Sequence, residues 1–318
     1  QPVLARRVLF AQDCRGDGEV AVRVQQLAGL RVAMRVVAEI DLAETGVAAA
    51  ADISPEDQKP ALTAINEAKA RTNNHILVDG GDQFQGTLFY TYYKGKLAAE
   101  MMNLMGYDAM TVGNHEFDDG PEVLRGFMDA VEFPVLMSNA DVSGEPLLAE
   151  SLLKSTVIER GGEKLGLIGL TPQDTDELAS PGDNIIFTDP SDAVQGEVDK
   201  LTEMGVNKVI VLSHSGYGVD QTVAANTSGV DVIVGGHSNT LLGDMDGAAG
   251  AYPTVVNGVQ IVQAYAYGKY LGELNVTFDD AGEVIENGTG TDGVYTTMSQ
   301  FLAAAASAYV VSAVLRVY

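Results

Sequence analysis

The sequence predicts an α/β protein whose short buried strands deliver polar residues to the rim of a layered sheet. Two observations carry this. Five apolar runs each pass straight into a residue able to hold a cation. Val8-Leu9-Phe10-Ala11-Gln12 leads to Asp13, and Ile76-Leu77-Val78-Asp79-Gly80-Gly81 leads to Asp82. Ala109-Met110-Thr111-Val112-Gly113 leads to Asn114 and His115. Val209-Ile210-Val211-Leu212-Ser213 leads to His214, and Val230-Asp231-Val232-Ile233-Val234-Gly235-Gly236 leads to His237. β-rich apolar runs of this length read as buried strands, and α/β sheets place their sites at the carboxyl ends of such strands. The second observation is histidine use: of four histidines, three fall at these strand ends.

The elements follow in order. Residues 20–60 carry no clean period until Asp52-Ile53-Ser54-Pro55-Glu56-Asp57, a loop leading into a helix whose buried stripe is Leu62, Ile65 and Ala68. From residue 74 to about residue 287, strand-like and helical runs alternate. Residues 97–105 predict a helix stopped by Gly106. Residues 121–131 predict another, with Pro121 in the first turn. Asp189-Pro190 opens a third, which Gly205 closes. Strands are expected at residues 135–138, 164–170 and 208–212, then at 254–256, 260–262 and 274–278. The Ala-rich tail from Phe301 is helix-prone.

Composition excludes several function classes. A chain of 318 residues, 46% hydrophobic, can bury a sizeable core. Its most apolar stretch, residues 301–317, is diluted by serine and tyrosine and predicts no membrane span. A net charge of −25 argues against binding a nucleic-acid polymer, whose phosphates need a basic surface. A small phosphate ester remains open where metal ions invert the local field. Cys14 is the only cysteine, so a disulfide framework and a Cys-rich zinc site are both excluded. The chain opens at Gln1 with no signal peptide in view, which predicts a processed or truncated start.

The motifs differ in specificity. Gly81-Asp82 allows a tight turn with a carboxylate able to bridge two cations, though alone it reads equally as a surface turn. Gly113-Asn114-His115-Glu116-Phe117-Asp118 says more. The Asn114 amide oxygen can ligate a metal. His115 and Asp118, three apart, share a face of a helical turn, so the carboxylate can fix the imidazole tautomer and raise its basicity. His214 is a lone strand-end histidine, as readily structural as ligating. Gly235-Gly236-His237-Ser238-Asn239 can turn His237 and Asn239 toward one site. His75 opens a strand and reads as structural. Glu116 and Asp119 read as solvated, or as outer neighbours of the site at most, and Tyr90, Tyr92 and Tyr93 read as packing. Asn226, Asn275 and Asn287 head glycosylation sequons, relevant only in a source that uses them.

Taken in order, Asp13, Gly81-Asp82, Gly113-Asn114-His115-Glu116, His214 and Gly236-His237 resemble the calcineurin-like metallophosphoesterase superfamily. Three further stretches narrow the resemblance to its 5′-nucleotidase branch: Asp82-Gln83-Phe84-Gln85-Gly86-Thr87, Gly236-His237-Ser238-Asn239-Thr240, and Gln263-Ala264-Tyr265-Ala266-Tyr267-Gly268-Lys269-Tyr270-Leu271-Gly272. The resemblance implies a four-layer αββα sandwich holding two divalent metal ions, Zn or Mn by the ligand types. Asp82 would bridge both ions. Asn114, His214 and His237 would complete one site, and Asp13 and Asn239 would belong to the other. His115 and Asp118 would form the catalytic dyad, with Asn114 and His115 on the phosphate. The implied reaction is hydrolysis of a nucleoside 5′-monophosphate such as AMP, with a UDP-sugar or a cyclic nucleotide as alternative substrate. A secreted, periplasmic or cell-surface setting and a homodimer are also implied.

Two departures stand out. Where the family has Asp-x-His, Asp13-Cys14-Arg15 carries an arginine, which cannot ligate a cation. Either this first site binds weakly, or Cys14 or Asp17 substitutes, or the stretch is miswritten. If the site is lost, a non-catalytic binding or scaffold protein is the reading that follows. The family's Gly-Gly-x-Ala-Arg segment is also missing upstream of Leu62. Residues 1–296 are expected to form the catalytic domain and residues 297–318 to begin a connecting helix. The C-terminal specificity domain of the branch is expected to lie outside this sequence, so base-binding residues stay unassigned.

Overall fold

Strands that are apolar on both faces must be covered on both, and this computed structural model shows how. The structure describes residues 61–71, 74–86, 88–266, 270–279, 281–284, 293–297 and 312–317. Asp13, Cys14, Arg15 and Asp17 lie outside the described residues, as do all of residues 1–60.

The first sheet contains parallel strands β1 (His75–Asp79), β2 (Ala109–Thr111) and β3 (Val135–Leu136). A small pair, β4 (Ala140–Asp141) and β7 (Ile186–Phe187), stands apart. The second sheet holds β5 (Ser155–Arg160), β6 (Glu163–Leu170), β8 (Val209–Ser213), β9 (Val232–Val234), β10 (Thr254–Val256) and β11 (Val259–Val262). Its order is β10-β11-β9-β8-β6-β5, with β11, β9, β8 and β6 mutually parallel. Strands β12 (Tyr270–Val276), β13 (Gly293–Thr297) and β14 (Ser312–Val317) complete the first sheet in the order β13-β12-β14-β1-β2-β3.

Helices α1 (Ala61–Lys69), α2 (Leu88–Tyr93), α3 (Lys96–Met105) and α4 (Pro121–Met128) accompany the first sheet. Three more follow: α5 (Thr175–Leu178), α6 (Pro190–Glu203) and α7 (Tyr217–Asn226). The expected boundaries have local causes. Gly106 adopts the left-handed conformation at the end of α3, with φ 68°. The Asp189 carboxylate accepts the N–H groups of Ser191 and Asp192 at the start of α6.

Alternation along the strands sorts the side chains into three cores. Ile76 and Val78 of β1 meet Ile210 and Leu212 of β8 and Val232 and Val234 of β9 between the sheets. Leu77, Met110 and Val112 point the other way, against Ala64, Ile65, Met101 and Leu124 of the first helical layer. Val209, Val211 and Ile233 face Val194, Val198, Leu201 and Val223 of α6 and α7. The layers are therefore αββα, as the resemblance implies, and burial on both faces explains the uninterrupted apolar runs.

One expectation is corrected. Ser312–Val317, expected within a connecting helix, is instead β14, antiparallel to β1 and parallel to β12. A slot between two strands pairs the backbone groups on both edges of the segment, and that tertiary gain overrides a weak local helix preference. Among the described residues, no helix is long and apolar enough to cross a membrane.

Candidate metal centre

Four strand ends meet at one rim. Asp82 follows β1, Asn114 follows β2, His214 follows β8 and His237 follows β9. Donor atoms of Asp82, His214 and His237 lie within 4.8 Å of one another. His214 Nε2 stands 2.8 Å from Asp82 Oδ2, and Asn114 Oδ1 stands 3.1 Å from His237 Nδ1. The backbone bends to achieve this. Asp82 has φ 63° and His237 φ 64°, a left-handed conformation that costs a non-glycine residue about 1–3 kcal/mol and collects at functional sites. A Cβ on Gly236 would stand 2.6 Å from Gly80 O and 2.8 Å from His214 Nδ1, so only glycine permits this approach.

The electrostatics suit a cation. His214 is buried, and its Nδ1–H donates to the Gly80 carbonyl at 2.5 Å, which leaves the lone pair on Nε2. That buried Nε2 stands 2.8 Å from Asp82 Oδ2, a separation at which the two atoms share a proton or converge on a bound cation. Burial acts to lower the His214 pKa, but the Asp82 carboxylate and the Gly80 carbonyl overcome it and raise the value to about 9. Positive charge is therefore favoured at this spot. Burial, then the neighbouring His214, lowers the pKa of His237 and so favours its neutral form. Two imidazoles, a carboxylate and an amide oxygen form a donor set suited to Zn or Mn, so these residues fit a divalent ion.

The dyad sits beside this cluster. His115–Phe117 forms a 3₁₀ turn that brings His115 Nδ1 to 2.7 Å from Asp118 Oδ2. The His115 N–H donates to Asp82 Oδ1 at 3.0 Å, tying the dyad to the ligand carboxylate. The His115 side chain keeps 29% exposure, so it can meet a solute.

The family model for calcineurin-like phosphoesterases matches residues 46–240. The chain belongs to that family. It is similar to the 5′-nucleotidase of Diplobatis ommata, at 47% identity over 237 residues, which covers 70% of this chain and 41% of the relative. It is also similar to the snake venom 5′-nucleotidase of Naja atra, at 44% identity over 241 residues, covering 70% of this chain and 45% of the relative. Among solved structures, the 5′-nucleotidase precursor from Thermus thermophilus matches with a TM-score of 0.72 at 41% identity, covering 78% of this chain and 50% of that one. The chain thus spans less than half the length of these two curated relatives.

In this member of the family, Asp82, Asn114, His214 and His237 come together, and His115 pairs with Asp118. Asn239 follows on the His237 loop with φ 48° and is partly exposed. Asp13, its expected companion, lies outside the described residues. Tyr90 packs on Phe84 with ring centroids 4.9 Å apart, as expected, while Tyr92 is exposed.

Two residues matter more than the sequence suggests. Glu116, expected to be solvated or an outer neighbour at most, is fully buried. Its carboxylate accepts the N–H groups of Asp82 at 2.9 Å, Gln83 at 2.6 Å, Phe84 at 3.1 Å and Gly113 at 2.6 Å. Burial and the Asp82 charge push its carboxyl up to about 7, against the pull of these donors. Gln263, also buried, holds the other loop. Its Nε2 donates to Gly236 O at 2.9 Å, and its Oε1 accepts the Thr240 N–H. In the sequence both lie inside stretches that carry the resemblance, but nothing local marks either as a buried holder of backbone groups.

Proposed function

We propose that this chain is the metal-binding, catalytic part of a 5′-nucleotidase, which hydrolyses a nucleoside 5′-monophosphate such as AMP to nucleoside and phosphate. The observation that carries the reading is the convergence of Asp82, Asn114, His214 and His237 beside the His115–Asp118 pair. The names of the similar proteins support it. The relative named for snake venom supports an extracellular setting.

Asp82, Asn114, His214 and His237 would hold one divalent ion, Zn or Mn. Asp82, Asp13 and Asn239 would hold a second. Bound ions of this kind polarise phosphoryl oxygens and acidify water at neutral pH. On this reading the Asn114 amide and the His115 imidazole would face the phosphate. Asp118 holds His115 Nδ1, so Nε2 is the ring atom assigned to the substrate side. There it would stabilise the transferring phosphoryl group or hand a proton to the ester oxygen as the phosphorus–oxygen bond breaks and a water oxygen bonds to phosphorus.

Elemental analysis of the purified chain, and phosphate release from AMP, UDP-glucose and cyclic AMP with added Zn²⁺ or Mn²⁺, test this. Bound divalent metal and a preference for AMP are expected. Failure to bind either metal would end the reading, and faster turnover of UDP-glucose or cyclic AMP would move the substrate class.

A further inference from the structure

We infer that Thr171 is a positioning residue for the metal centre, locking the rim of one sheet to the rim of the other and so setting the spacing of ligands that come from different sheets. The inference rests on the metal-site reading above. The ligands divide by sheet: Asp82 and Asn114 follow strands of the first, His214 and His237 strands of the second. Apolar contact between two sheets is non-directional and does not by itself fix their relative position to a fraction of an ångström. Hydrogen bonds are directional and do.

Thr171 takes part in four such bonds at the rim, to three partner residues. It follows Leu170, the last residue of β6, and is fully buried. Its Oγ1–H donates to the Val112 carbonyl, two residues before Asn114 and in the opposite sheet. Its N–H donates to Asn139 Oδ1 at 2.9 Å, and Asn139 Nδ2 donates back to the Thr171 carbonyl at 2.8 Å. The same carbonyl accepts Ser215 Oγ–H at 3.1 Å, one residue after His214. A single side chain and its own peptide groups thus hold the loop of Asn114, the loop of His214 and the segment after β3. Thr111 runs alongside, its Oγ1 shared between Leu136 O at 3.1 Å in its own sheet and Leu170 O at 3.0 Å in the other. Gly169 keeps the gap narrow, because a Cβ there would collide with the Leu136 backbone. An ordinary buried threonine would contribute to stability alone. One that bridges the two halves of a ligand set should also control affinity, as hydrogen-bonded neighbours of metal ligands do.

The test is calorimetric titration of the metal-free full chain with Mn²⁺ or Zn²⁺. Thr171→Val keeps the shape and removes the donor, and its affinity should fall about tenfold. Thr171→Ser keeps the hydroxyl and should bind within about twofold of wild type. Leu201→Ala, which empties part of the outer core, serves as a stability control: it should lower Tm at least as far as Thr171→Val and leave affinity unchanged. Wild-type affinity in Thr171→Val, or an equal loss in Leu201→Ala, overturns the inference while the metal site stands. If the wild type binds neither metal, the site reading falls and takes this inference with it. Should Thr171→Val fail to fold, Asn139→Ala removes the two hydrogen bonds that join the segment after β3 to the Thr171 peptide groups across the sheets. A severalfold weaker affinity in Asn139→Ala supports the inference, and wild-type affinity overturns it.

Discussion

Glu116 gathers four backbone N–H groups and through them holds both the Asp82 turn and Gly113. Its two oxygens take two donors each. Glu116→Gln retains one oxygen and turns an amide N–H₂ toward the other two donors, leaving them unpaired. Each buried unpaired group costs about 1–3 kcal/mol, so the variant should lose about 2–5 kcal/mol in urea unfolding and some bound metal. A loss under about 1 kcal/mol would show that water reaches this carboxyl. Under the proposed function His115 would act differently, its ring contributing chemistry rather than support. His115→Ala should cut AMP turnover by about a hundredfold while metal content persists. Near-normal turnover would remove His115 from the reaction.

Asp231 locks the amino-terminal ends of β8 and β9 together. Its carboxylate accepts the Val209 N–H at 2.7 Å, and its own N–H donates to Val209 O at 3.0 Å. Burial, with a smaller push from Glu283, raises its carboxyl to about 7 from the ordinary 3.8, although the Val209 N–H and Lys208 oppose this. The folded state therefore binds this proton more readily than the unfolded state. The stabilisation is full below the ordinary value and is lost as pH rises toward 7. Asp231→Asn keeps an acceptor for Val209 and removes the titration. Its Tm should exceed wild type at about pH 8 and vary less between about pH 5 and pH 8, as thermal melts would record. Superimposable curves would rule Asp231 out as the source.

Across the whole molecule, a net charge of −25 is spread over a fold that packs two sheets and two helical layers. Like charge at this density repels itself in the compact state and is screened by salt. Tm should therefore rise between about 0.01 M and 0.3 M KCl, over which the screening length falls from about 30 Å to under 10 Å. A flat response would mean that local ion pairs already balance the acidic surface. Each of the two sheets brings one part of the candidate site into place, since both carry residues of the cluster at their strand ends.

Local pattern was enough to put Asp82, Asn114, His214 and His237 at strand ends on the sheet rim, because strands buried on both faces must be unbroken apolar runs and the polar residues after each mark the rim; it left open whether Asp82 and His214 serve a site. It also located the His115–Asp118 pair, whose spacing of three is itself a local property. Packing settled the rest. The burial of Glu116, the grip of Gln263 on the His237 loop and the insertion of Ser312–Val317 between β1 and β12 all depend on partners far away in the chain. A residue's periodicity records which face it occupies, and only the meeting of distant segments selects the group it will touch.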